Sequence, residues 1–179
     1  TKEDFLSSIA GSEGRIITCE CIGTTMPLLG DLTNAELAAS MGADIILLNM
    51  FDVNKPVING LPEARPKDII HKLKQLTGRM IGINLEPVED DMPTTNDNTM
   101  WAMSEGRKAT LNNAKAAYDM GVNMILLTGN PGNGISNKAI SDSLRTIGSQ
   151  MKDKLILAAG KMHAAGLLSE GGEKIITKD

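Results

Sequence analysis

Short apolar runs alternate along this chain with segments whose apolar positions recur at three- and four-residue spacing. The runs Arg15–Ile22, Asp44–Met50, Met80–Glu86, Asn123–Thr128 and Lys154–Ala159 are short and bounded by polar residues or glycine, and they predict strands. The spaced segments Asn34–Met41, Pro66–Leu76, Ser104–Met120 and Asn137–Met151 predict helices. Thr33, Ser104 and Ser136 are the predicted N-caps, because a side-chain oxygen there can accept from an orphan N–H of the first turn. Gly42, Gly78 and Gly121 are the predicted C-terminal stops. Strict strand–helix alternation predicts an α/β domain with a parallel sheet and right-handed crossovers.

Two stretches nearly repeat: MGADIILLN (Met41–Asn49) and MGVNMILLT (Met120–Thr128). A repeated βα module is what a parallel (β/α) TIM-barrel type fold built from similar units would show. Five strands fall short of the eight that a barrel needs, and an open flavodoxin-like sheet is the alternative. The ending GGEKIITKD stops on Thr177-Lys178-Asp179, which reads as a helix cap without its helix. The expectation is therefore a single (β/α) domain over residues 1–179 that forms the N-terminal part of a longer barrel. Its apolar sheet edges would be covered by a partner chain, most simply in a homo-oligomer.

Loop lengths point to one face. Helix-to-strand connections are tiny, as at Gly42-Ala43 and Gly121-Val122, whereas strand-to-helix connections are long and polar, as at Phe51–Arg65 and Pro87–Met103. The long loops lie beyond the carboxyl ends of the strands, where α/β folds bind ligands. Side-chain parity then selects candidates. Gly82, Asn84 and Glu86 share one face of the third strand, and Thr18 and Glu20 share one face of the first. On the second strand Asn49 is the first polar residue after IILL, with Asp52 just beyond; on the fourth, Thr128 and Asn130 share parity on either side of Gly129; Lys161 and His163 share parity just past the fifth.

The set contains acids, a cation and amides, as a small-molecule site needs. Glu86, Lys161, Glu20 and His163 are the candidate catalytic residues. Lysine can form a Schiff base, act as a base or hold an anion, and glutamate can move a proton beside a carbonyl. Asn49, Asp52, Asn84, Thr128, Gly129 and Asn130 are the candidate substrate-binding residues. Polar residues also end strands simply because the chain is leaving the core, so the case rests on the coincidence across five strands.

Composition narrows the partners. The net charge of −4 and the absence of a basic run exclude nucleic acid, which needs clustered Lys and Arg. No stretch is long and apolar enough for a membrane span, and TKEDFLSSIAG is too polar for a signal peptide, so a cytoplasmic location is expected. Cys19 and Cys21 lie on one strand face and read as buried thiols. Glu89-Asp90-Asp91 is a candidate ligand run for a divalent metal such as Mg, with a solvated acidic loop as its alternative. His71 reads as a surface residue, and Trp101 as either a lid anchor or a staple for the next helix.

Gly129–Ser136 matches the phosphate-binding G-x-x-x-x-G-K-[ST] loop except that Ile135 stands in place of the lysine. It reads better as the βα turn after the fourth strand, with backbone N–H groups able to hold an anion. A nucleotide or flavin binder is accordingly the weakest of the functional readings.

The segments GADIILLNMFDVNKPVINGLP, IGINLEPV, ILLTGNPGNGISN and LILAAGKMHAAG together resemble an uncharacterised bacterial (β/α)8-barrel family with phosphoenolpyruvate phosphonomutase-like labels. GADIILLNMFD resembles, more distantly, the BtpA-like barrels. The resemblance spans essentially the whole chain and implies a cytoplasmic barrel that handles a small phosphorylated or carboxylated metabolite. The lysine–cysteine–glycine segment of isocitrate lyase and phosphonomutase enzymes is absent, and a first strand ending in CECIG does not fit a haloacid-dehalogenase label, which needs Asp-x-Asp there. The function expected is a lyase, isomerase or mutase acting on an anionic oxo-acid or sugar phosphate. The alternative is a non-catalytic binding or assembly protein.

Overall fold

The computed structural model describes residues 1–88, 103–129 and 135–161, with Lys161 described by its backbone alone. Five strands, β1 (Thr18–Ile22), β2 (Ile45–Asn49), β3 (Met80–Leu85), β4 (Met124–Gly129) and β5 (Ile156–Lys161), form one all-parallel sheet in the order β1-β2-β3-β4-β5. Helices α2 (Asn34–Ser40), α3 (Ile69–Thr77), α4 (Leu111–Asp119) and α5 (Asn137–Met151) connect successive strands. The protein is thus a parallel α/β fold. The flavodoxin-like alternative is corrected: that order places β1 between β2 and β3, whereas here β2 lies between β1 and β3. No described helix is long and apolar enough to cross a membrane.

The two faces of the sheet differ. Ile46, Leu48, Ile81, Ile83, Leu85, Ile125 and Leu127 are buried beneath α2–α5, with Ile70, Leu73, Ala114, Ala117 and Ile147 packed against them. Each large apolar side chain buried there contributes about 1.5–3 kcal/mol. The opposite face is apolar only toward the amino ends of the strands, where Ile45, Leu47, Met80, Met124 and Ile156 meet Phe5 and Ile9. These two come from α1 (Lys2–Gly11), a helix that the apolar spacing did not predict. Two apolar residues four apart make a narrow stripe among polar neighbours. The helix is started by a reciprocal capping box between Thr1 and Asp4.

The sequence repeat is a structural repeat. Gly42 and Gly121 both adopt φ of 99°, where a Cβ would be strained, and each turns the chain from a helix into the next strand. One residue further on, Ala43 N–H donates to Ala38 and Val122 N–H to Ala117. The Asp44 carboxylate then accepts from Ile17 N–H at 2.9 Å, and the Asn123 amide oxygen accepts from Ile81 N–H at 3.2 Å. Each module therefore pins itself to the strand before it, which sets the register of β2 and β4. The repeat also makes Asn49 and Thr128 equivalent positions at the strand ends.

Thr33 and Ser136 cap their helices as expected, and Gly78 stops α3 in the left-handed conformation. Ser104 does not cap α4: a 3-10 turn at Glu105–Arg107 and an extended stretch intervene, and Thr110 accepts from Asn113 N–H instead. The reason is tertiary. Lys108 lies beside Glu86 in a parallel bridge, with Arg107 O and Ala109 N–H bonded to the Glu86 backbone, so the chain stays extended after the 3-10 turn before it enters the helix.

Candidate functional site

Beyond the apolar layer capped by α1, the open face of the sheet becomes polar at the carboxyl ends of the strands. Glu20 is exposed, and its two carboxylate oxygens accept from Asn49 Nδ2 at 2.9 Å and from Asn84 Nδ2 at 3.3 Å. Continuing the β2–β3 register places Asn49 opposite Asn84, so two adjacent strands present amides to one carboxylate. Gly82 lies one step below; a Cβ there would stand 3.0 Å from Met124 Cε and 3.1 Å from Leu47 Cδ1.

The amides are themselves oriented. Asn49 Oδ1 accepts from Met50 N–H at 2.8 Å, and Met50 is a non-glycine residue at φ 58°. Such a backbone costs about 1–3 kcal/mol and is concentrated at functional sites. Asn84 is 5% exposed, and its Oδ1 is buried with no partner among the described residues. Thr128 Oγ1, at the end of β4, is likewise buried and unpartnered among the described residues. Most buried polar atoms are paired, and the exceptions mark strain or a missing ligand or water.

Glu86 sits differently from its sequence-predicted role. It is 7% exposed and bonded to Arg107 Nη2 at 2.8 Å, with both side chains 10% exposed. Its N–H donates to Arg107 O and its carbonyl accepts from Ala109 N–H, so backbone and side chain together hold the 107–109 segment. Asn113 reinforces this, its Nδ2 donating to the carbonyls of Glu105 at 2.7 Å and Lys108 at 2.8 Å. Sequence reasoning missed Arg107 and Asn113. Nothing in local spacing ties residue 107 to residue 86, although an Asn two places inside a Thr-capped helix start is a weak signal for a turn-holding amide.

Asp52 is engaged in its own turn, its Oδ1 accepting from Asn54 N–H at 2.7 Å and Lys55 N–H at 3.1 Å. Gly106 packs directly on it, and Val53 N–H donates to Gly106 O. The loop after β2 is thereby clamped to the segment that carries Arg107.

The structure thus gathers Glu20, Asn49, Asn84 and Thr128 on one face. It places Glu86 beside them in an ion pair, and Asp52 at the rim. Gly129 and Lys161 pair with each other at the ends of β4 and β5, on the helix-covered parity of Leu127 and Ala159. Asn130, His163, the Glu89-Asp90-Asp91 run and Trp101 lie outside the described residues. Among the described residues no three His, Cys, Asp or Glu side chains gather as a metal-ion site would require. His71 is exposed on α3, as expected, with its ring against Gly121. Cys19 and Cys21 are free, half-buried thiols that pack on the helix-covered core. Burial, reinforced by the neighbouring Cys19, pushes the Cys21 thiol up to about 12.

No curated protein matches the sequence. The profile of one protein family does match, over residues 1–179, and the chain therefore belongs to the family described as Domain of unknown function (DUF7916).

Proposed function

We propose that the polar strand ends form the active site of a lyase, isomerase or mutase acting on a small anionic oxo-acid or sugar phosphate, within a (β/α) barrel of which this sheet is a part. The sequential strand order, with four connecting helices on one face and a polar opposite face, supports the barrel reading. The observation that carries the functional reading is Glu20. An exposed carboxylate whose two oxygens are fixed by Asn49 and Asn84 is a proton-transfer group of defined orientation on the ligand-facing side of the sheet. Glu20 therefore takes the catalytic role, and Glu86 acts through Arg107 to hold the rim.

Electrostatics favours an anion. Every connecting helix begins at this end of the sheet, with caps at Thr33, Thr110 and Ser136, so the positive ends of the helix dipoles converge there. A thermal-shift screen against oxo-acids and sugar phosphates tests the reading. A ligand at a hundredfold its Kd adds about 2.7 kcal/mol, a rise of roughly 5–10 °C for a domain of this size. If no such ligand raises Tm, or if Glu20→Gln turns over the substrate found as fast as wild type, the proposal fails.

An assembly role has its own support. Met26, Leu28, Leu29 and Leu32, in the connection between β1 and α2, are 78%, 78%, 57% and 47% exposed beside the edge strand β1. Such a patch fits a homo-oligomer contact. Sedimentation of wild type against Leu28→Glu would show it, a purely monomeric wild type being the contrary result.

A further inference from the structure

Asn84 has one satisfied end and one that is not. Its Nδ2 donates to Glu20, which fixes the amide: a flipped amide would set Oδ1 against the carboxylate. The carbonyl end is thereby committed to the other direction, where it is buried without a partner among the described residues, in a residue 95% buried. Thr128 Oγ1, on the neighbouring strand and the same face, is in the same condition. An amide oxygen can only accept, whereas a threonine hydroxyl can accept or donate. Ligand hydroxyls would satisfy both, as neutral groups that donate to the first and pair with the second in either sense. The convergent helix dipoles disfavour an ammonium in that position.

We infer that the ligand of this site is hydroxylated, a hydroxy acid or a sugar phosphate rather than the matching deoxy or oxo compound, and that Asn84 Oδ1 is the atom that reads the hydroxyl, assisted by Thr128. The inference rests on the reading of the strand ends as a small-anion site; of the two substrate classes proposed there it selects the sugar phosphate, and for the other it selects the hydroxy-acid partner of the oxo-acid. A pocket built to bond a hydroxyl rejects the analogue lacking it far more strongly than a difference in size alone would, because its buried polar groups are then left unpaired.

The test is calorimetric binding of matched probes: malate, succinate, oxaloacetate and aspartate in one set, ribose phosphate and deoxyribose phosphate in the other. The hydroxylated member of at least one set binds at least about tenfold more tightly than its deoxy partner. Thr128→Val, nearly isosteric, reduces that preference, and Asn84→Leu erases it, read as the ratio of the two affinities because the loss of Asn84 Nδ2 also releases Glu20 and changes both members together. Should Asn84→Leu fail to fold, Thr128→Val alone carries the comparison, judged by whether the preference shrinks. Equal binding of hydroxylated and deoxy probes to wild type, equal weakening of both by Asn84→Leu, or a preference for the oxo or amino member overturns the inference and leaves the small-anion reading standing. Binding of no probe in either set overturns both.

Discussion

Replacing Arg107 by Met should be among the most damaging single changes near the site, although the residue lies on an irregular stretch of chain. The substitution keeps most of the side-chain volume but leaves Glu86, 7% exposed, without the guanidinium that stands 2.8 Å from its Oε1. Removing one partner of a buried pair costs about 3–5 kcal/mol, a large share of the roughly 5–15 kcal/mol by which a domain is stable. With a urea m-value near 2 kcal/mol/M, the midpoint falls by about 1.5–2.5 M. Glu86→Leu combined with Arg107→Met removes both charges, and a hydrophobic replacement of a buried pair is often neutral. The double variant should return to within about 1–2 kcal/mol of wild type. Both residues make further contacts, so the double-mutant cycle rather than either single variant isolates the pair, and its coupling should exceed about 2 kcal/mol. A loss below about 1 kcal/mol for Arg107→Met, with no coupling to Glu86, would mean that the pair behaves as a solvated surface contact. It would also reopen a ligand-contacting role for Glu86.

Three further outcomes follow from local geometry. Gly106→Ala places a Cβ 1.8 Å from Asp52 Oδ1 and 2.9 Å from Asn54 N, so the clamp between the two loops must open; a destabilisation of about 1–3 kcal/mol by urea titration is expected. Thr33 is fully buried and shares a reciprocal capping box with Glu36, so Thr33→Ala should lower stability by about 1–2 kcal/mol, whereas Thr33→Ser should recover most of it. Burial raises the Cys21 thiol from 9.0 to about 12, which means that the folded state favours the protonated form. The corresponding stabilisation is complete below pH 9.0 and is lost as pH rises from there through about 12, so wild type should lose stability above pH 9.0 more steeply than Cys21→Ala. Parallel denaturation curves for the two proteins across that range would contradict the assignment.

Much of the scaffold was legible because it is local. Strand and helix periods, the caps at Thr33 and Ser136, and the glycine turns at Gly42 and Gly121 each depend on residues within a few positions of one another. The repeat MGADIILLN/MGVNMILLT carried more than pattern, since its aspartate and asparagine tie β2 and β4 to the preceding strands. The weakly patterned α1 was not legible, because its two apolar residues acquire meaning only against the sheet that they cover. Nor was the start of α4, where the backbone of Glu86 holds Lys108 extended in a bridge in place of the helix that Ser104 would have begun.

For the candidate site the division is sharper. Strand parity by itself determined that Glu20, Asn49, Asn84 and Glu86 share one face at the carboxyl ends of their strands, because alternation of side chains is a property of the backbone. Which of these acids is exposed and which is paired was decided only by tertiary structure. Arg107, reached through a segment distant in sequence, neutralises Glu86, while two amides from neighbouring strands converge on Glu20. Charges and hydrogen bonds act across space with no period along the chain, so the same letters leave the roles of Glu20 and Glu86 open until the strands stand side by side.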